Sequence, residues 1–113
     1  MSTLSSHVLD VALGQPARGV ALRLEVLDGG AAWRAVGAAI TDADGRARAL
    51  LGGAPLEART YRLTFETDAY FRATGRPSFY PRVEVIFTVT SADEHHHIPL
   101  LLSPFGYSTY RGS

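Results

Sequence analysis

Apolar and polar residues alternate along much of this chain. Leu22, Leu24 and Val26 interleave with Arg23 and Glu25, and Tyr61, Leu63 and Phe65 with Arg62, Thr64 and Glu66. A third run sets Val83, Val85, Phe87 and Val89 against Glu84, Ile86 and Thr88. A period of two is the signature of a strand buried on one face. Turn sequences separate the runs, among them Gly14-Gln15-Pro16, Asp28-Gly29-Gly30, Asp42-Ala43-Asp44-Gly45, Gly52-Gly53-Ala54-Pro55 and Ser103-Pro104-Phe105-Gly106. Seven or eight short strands at roughly ten-residue spacing predict an all-β sandwich. A first strand is expected around Val8-Leu9-Asp10-Val11. The single helix expected runs from Asp68, as its cap, to about Ala73, with Gly75 as its stop.

The segment from His95 to Ser103 departs from the half-buried pattern. One face would carry His96, Ile98, Leu100 and Leu102, the other His95, His97, Pro99, Leu101 and Ser103, so large apolar residues lie on both. A sandwich needs one inner face per sheet, which points to a second subunit over the outer one. The simpler alternative is a solvent-exposed Leu101. The residues that follow, Tyr107-Ser108-Thr109-Tyr110, are strand formers, so the tail is expected to close a core, an interface or a site.

Composition narrows the chemistry. With 113 residues, 46% of them apolar, and no formal net charge, the chain reads as one globular domain spanning 1–113. Its scattered arginines give no footprint for nucleic acid, and no run reaches the roughly 18 apolar residues of a membrane span. It reads as cytoplasmic. There is no Cys, and all 11 basic residues are Arg, so thiol and Schiff-base chemistry are excluded. Proton transfer near neutral pH falls to the 4 histidines, and the nucleophile to a hydroxyl, a histidine, a carboxylate or water.

His95 and His97 share a strand face, with His96 on the other. They could be a metal pair, a proton-transfer pair, or polar surface. A metal lacks its further ligands, since the other histidine, His7, stands alone in sequence and no carboxylate has companion spacing. Taken singly, His7 is an ordinary surface histidine and Arg46 a solvated charge after a tight turn. The tail adds a phenol at Tyr110, a guanidinium at Arg111, a glycine and a hydroxyl at Ser113, and spacing does not choose among them.

Several motifs together resemble the transthyretin-related 5-hydroxyisourate hydrolase family. They are Ser6-His7-Val8-Leu9-Asp10 with Gly14-Gln15-Pro16-Ala17, Thr41 to Arg46, Phe65-Glu66-Thr67 through Tyr70-Phe71 to Phe79-Tyr80-Pro81, and His97 to Ser113. The ending Tyr110-Arg111-Gly112-Ser113 is the most specific, because in that family it separates the hydrolase from the hormone carrier. His96 stands where many relatives carry Tyr, and Asp68 where many carry Gly.

The resemblance implies a transthyretin-like sandwich of two four-stranded sheets with a short helix, assembled as a homotetramer around a channel. It implies sites at the interface between dimers, lined by His7, Arg46, His97 and Tyr110 to Ser113, with His95 supporting His97. The reaction implied opens the ring of 5-hydroxyisourate at a cyclic amide-type bond to give 2-oxo-4-hydroxy-4-carboxy-5-ureidoimidazoline, without metal or cofactor. His97 or His7 would be the base on water and the other its partner, with Arg46 clamping substrate oxygens and the developing oxyanion. Tyr110 would contact the substrate ring, Arg111 narrow the channel mouth, and Ser113 hydrogen-bond without acting as nucleophile. A carrier that holds a small apolar ligand is the rival reading, and polar groups at His7, Arg46, His97 and Tyr110 speak against it.

Overall fold

A computed structural model describes residues 3–112 of the chain. Its elements in order are β1 (Leu4–Asp10), β2 (Gln15–Pro16), β3 (Ala21–Asp28), β4 (Ala32–Ile40), β5 (Arg46–Ala47), β6 (Thr60–Phe65), α1 (Thr67–Ala73), β7 (Val83–Thr88), β8 (His96–Ser103) and β9 (Gly106–Thr109). One sheet is ordered β4-β3-β6-β7, and the other β2-β1-β8-β9 with β5 also on β1. The second sheet thus has five strands where four were expected. The extra one arises because β2 and β5, two residues each, pair with successive stretches of β1, Leu9–Asp10 and Ser6–His7 respectively. No helix among the described residues is long and apolar enough to cross a membrane.

The alternating residues meet between the sheets as expected. Leu22, Leu24, Val26, Leu63, Phe65 and Val83 from one sheet pack in one buried cluster with Leu4, Val8, Ile98, Leu100 and Leu102 from the other. Ile86, on the opposite side of β7, is exposed. β1 begins four residues before the predicted strand because its inner face carries a polar residue that masks the alternation. Ser6 is buried there, and its hydroxyl donates to the Ile98 carbonyl at 2.6 Å.

The helix also starts earlier than predicted. Glu66 is the capping position and makes no side-chain cap, while Asp68 lies inside the first turn, bonded to Ser78 and paired with Arg72 at 3.2 Å. Pairing one turn ahead and holding the returning loop satisfies that carboxylate as well as a cap would. Gly75, with φ +71°, ends the helix as expected.

The helix is pinned to the far end of β1 by a fully buried carboxylate. Asp10 accepts from the Tyr70 hydroxyl at 2.7 Å, from Arg76 Nη2 at 2.5 Å and from the Leu13 N–H at 3.1 Å. Burial alone raises a carboxyl pKa, but these hydrogen bonds and the Arg76 charge outweigh it and hold Asp10 below its ordinary value. Burial beside Asp10 pushes the Tyr70 phenol up to about 12.

A lowered carboxyl pKa means that the unfolded chain binds the proton more tightly, so the pairing stabilises fully above the ordinary pKa of about 3.9 and is lost as pH falls through the lowered value. Asp10→Ala should cost about 3 kcal/mol in urea unfolding at pH 7, the low end for breaking a buried pair. Arg76, whose side chain is 20% exposed, can regain water, which is why the low end applies. The variant should also lose part of the wild-type acid sensitivity below pH 4.

Candidate active site

Strand pairing decides which side chains meet. β1 runs parallel to β8 through seven consecutive pairs, setting Ser5 against His97 and His7 against Pro99. On its other side β1 pairs with β5, which sets His7 against Arg46. The inner face of β1 takes Leu4, Ser6, Val8 and Asp10, all buried, which leaves Ser5, His7 and Leu9 half-buried on the outer face. On β8 the inner set is His96, Ile98, Leu100 and Leu102, and His97 and Leu101 are half-buried outside. The outer face of the five-stranded sheet thereby collects His7, Arg46 and His97.

The turn before Arg46 fixes that residue. The Asp42 carboxylate accepts from the backbone N–H groups of Asp44 and Arg46 at 2.9 and 3.0 Å, and these bonds hold its pKa below the usual value. Gly45 has φ +75°, and a Cβ there would stand 2.4 Å from the Val8 carbonyl, so glycine is required for the turn to lie on β1. The Val8 N–H in turn donates to the Gly45 carbonyl at 2.8 Å. His7 Nε2 lies 2.8 Å from the Asp44 carbonyl. A carbonyl only accepts, so Nε2 is the donor, and Nδ1 is the ring nitrogen left open.

His97 is held from two sides. Its Nδ1 lies 2.8 Å from Ser5 Oγ, which leaves Nε2 for the cleft, and its ring abuts Gly112. A Cβ on Gly112 would come within 2.7 Å of His97 Cδ2, so only glycine fits. Burial lowers the His97 pKa, and the positive charges of His7, His95 and Arg46 lower it further, against a smaller opposing contact with Ser5. His97 is consequently a neutral imidazole at pH 7.

An open cleft of about 250 Å³ is lined by Ser5, Ser6, Arg46, Arg48, His95 and His97. Arg48 is engaged by Asp42 at 2.9 Å, whereas among the described residues Arg46 has no carboxylate within ion-pair distance. The lining is cationic and hydrogen-bonding, suited to a small planar molecule rich in carbonyl oxygens. Among the described residues no group of three His, Cys, Asp or Glu is arranged to hold a metal ion.

The tail divides. The register that pairs Leu100 with Thr109 and His97 with Gly112 sets Pro99 against Tyr110. Pro99 has no N–H to give, so regular pairing stops at Thr109 and resumes as the single bond from the Gly112 N–H to the His97 carbonyl at 2.8 Å. Tyr110 and Arg111 line a different cleft, between the sheets, with Val85, Phe87, His96 and Ile98, and Arg111 pairs with Glu94 at 3.3 Å. Within one chain they do not join the histidines. Ser113 lies outside the described residues. Three contributors were missed in the sequence: Ser5, Arg48 and the close fit of Gly112. Ser5 stands two positions before His7, which on a strand is the same face, and that was the available signal.

The architecture is a transthyretin-like sandwich with a His–Arg–His cluster on an outer sheet face. The description of the HIUase/Transthyretin family matches residues 4–112, and the chain belongs to that family. It is 46% identical over 113 residues to the 5-hydroxyisourate hydrolase of Mus musculus, covering 99% of this chain and 96% of that one. It is 48% identical over 118 residues to the 5-hydroxyisourate hydrolase of Caulobacter vibrioides, covering all of both. The structure of Klebsiella pneumoniae 5-hydroxyisourate hydrolase superposes with a TM-score of 0.85 at 42% identity, over 99% of this chain and 100% of that one. Sea bream transthyretin in complex with thyroxine superposes with a TM-score of 0.88 at 32% identity, over 97% and 94%. Backbone shape therefore does not separate the two activities of the family.

Histidine NMR should find His97 titrating below the ordinary 6.5. Gly112→Ala should leave the far-ultraviolet circular dichroism intact while shifting the His97 ring resonances. An unmoved His97 signal in that variant would contradict the contact.

Proposed function

We propose that this chain is a 5-hydroxyisourate hydrolase that opens the substrate ring to 2-oxo-4-hydroxy-4-carboxy-5-ureidoimidazoline in urate breakdown. The observation that carries this reading is the convergence of His7, Arg46 and His97 on one sheet face, with Arg46 unengaged by carboxylates among the described residues. Full-length identity to curated hydrolases of that name supports it.

In this reading neutral His97 takes a proton from water at Nε2 as the water oxygen attacks the carbonyl carbon of the cyclic amide-type bond. Arg46 donates hydrogen bonds to the oxygen on which negative charge gathers. The ring C–N bond then breaks, and the leaving nitrogen receives a proton from His97 or His7. A lowered pKa suits His97 to be a base at neutral pH, and Nδ1 of His7 is free for the partner role. No metal or cofactor enters the scheme.

The functional unit proposed is a cytoplasmic homotetramer acting on a small molecule, with no nucleic-acid or membrane partner. Support for assembly comes from the half-buried Leu9 and Leu101, which make the face beside the histidines apolar and suit it to cover by another copy. Tyr110 and Arg111 enter the proposal as substrate contacts at the channel mouth of that assembly, and Ser113 as a hydrogen-bonding group.

The test is the ultraviolet decay of freshly made 5-hydroxyisourate in the presence of a chelator, which the protein should accelerate. A folded protein that leaves the decay unchanged would return the carrier reading. His7→Ala and His97→Ala should each lower turnover about 10²- to 10⁴-fold, the usual contribution of one acid-base group. Turnover should hold below pH 6.5 and drop only near the lowered His97 pKa, because the protonated ring cannot accept from water. A variant without residues 110–113 should fold and lose most turnover.

A further inference from the structure

Ser5 sits between two imidazoles that share its face. Its Oγ is 2.8 Å from His97 Nδ1 and 3.1 Å from His95 Nε2, and the two rings stack with centroids 6.3 Å apart and planes 21° apart. The other nitrogen of His95, Nδ1, is hydrogen-bonded to Thr3 Oγ1. His95 is exposed, whereas His97 is half-buried. A continuous line of hydrogen-bonding atoms thus runs from the cleft to solvent: His97 Nε2, His97 Nδ1, Ser5 Oγ, His95 Nε2, His95 Nδ1 and Thr3 Oγ1.

A serine hydroxyl has one proton to donate, so Ser5 can donate to only one ring at a time. When it donates to His95 Nε2, it accepts from His97 Nδ1–H, and the bare nitrogen of His97 is Nε2, facing the cleft. When it donates to His97 Nδ1, the proton of His97 sits on Nε2 and the ring is a donor to the cleft. The orientation of one hydroxyl therefore selects whether His97 faces substrate as base or as acid.

We propose that Ser5 and His95 are positioning residues that set the proton-bearing nitrogen of His97 and relay its proton to and from solvent. The proposal rests on the hydrolase reading and names residues that serve it. In the forward relay His97 Nε2 accepts the proton of the attacking water. The Nδ1 proton passes to Ser5 Oγ as the serine proton passes to His95 Nε2, and the Nδ1 proton of His95 leaves past Thr3 Oγ1 to solvent. One proton enters the line and one leaves, every ring ends neutral, and His97 now holds its proton on Nε2, ready for the leaving nitrogen. The same line run backwards resets it. The charged and titratable groups facing the pair are His7 on β1, Arg46 on β5 and Arg48 just after it. Glu94, the residue before His95, is engaged by Arg111.

The experiment measures kcat and KM for 5-hydroxyisourate in dilute buffer for full-length wild type, Ser5→Ala, Ser5→Thr, His95→Ala and His97→Ala. Ser5→Ala should lower kcat about tenfold with little change in KM, the size of losing one hydrogen bond between neutral groups. Ser5→Thr, which restores the hydroxyl, should recover it. His95→Ala should be slow in dilute buffer and regain rate as imidazole buffer is added as an external proton acceptor. Wild-type rates in Ser5→Ala and His95→Ala beside an inactive His97→Ala would overturn the relay and leave the hydrolase reading standing.

Nitrogen-15 NMR of the histidine rings is independent of turnover. Ser5→Ala should redistribute the His97 proton between Nδ1 and Nε2. Unchanged ring nitrogens in a folded Ser5→Ala protein would overturn the proposal even if wild type proved inactive.

Discussion

The parallel pairing of β1 with β8 is the constraint on which the rest depends. It joins Ser5 to His97 across 92 residues of chain and holds one register through seven consecutive pairs. In a strand the side-chain period is two, so a slip of one residue would turn His97 into the core and His96 out to the cleft. The register is specified by burial, since Leu4, Val8, Ile98, Leu100 and Leu102 must all face inward together. At the far end of β1 the buried Asp10 anchors the strand to Tyr70 and Arg76, so movement along its axis would leave a buried carboxylate without its hydrogen bonds.

The chemistry follows from what that face brings together. Cationic groups gather at the cleft, and among the described residues the nearby carboxylate, Asp42, is committed to Arg48 and to the turn backbone. Burial first, and crowding of like charge second, keep His97 neutral beside the Arg46 guanidinium, which separates a base from an electrostatic clamp within one small cluster. Gly45 and Gly112 contribute by what they lack. One lets the turn lie on β1, and the other lets the tail lie against the His97 ring.

Much of the sandwich was legible because β3, β6 and β7 alternate cleanly, and the two-residue period of a strand also placed His95 and His97 on one face. β1 was partly hidden, because buried Ser6 reads as polar although the Ile98 carbonyl satisfies it. The meeting of His7 with Arg46 was not legible from periodicity at all. It depends on a two-residue strand, β5, whose pairing partner lies 39 positions away. Family resemblance supplied that grouping, and also the expectation that Tyr110 and Arg111 join it. A single chain sets those two in the inter-sheet cleft, because Pro99 interrupts the pairing that would have continued β9. The helix start was misjudged because Asp68 has capping chemistry but spends it on Arg72 and Ser78.

Among the clefts of the described residues, one is cationic and lined by His97 and Arg46, and another is mostly apolar and lined by Val85, Phe87 and Ile98. The most direct measurement is a crystal structure with a planar, hydrolysis-resistant analogue of 5-hydroxyisourate. The account predicts the analogue on the outer sheet face, its carbonyl oxygens on Arg46 and its ring within hydrogen-bond reach of His97. An analogue seated instead between the sheets, against Val85 and Phe87, would contradict it.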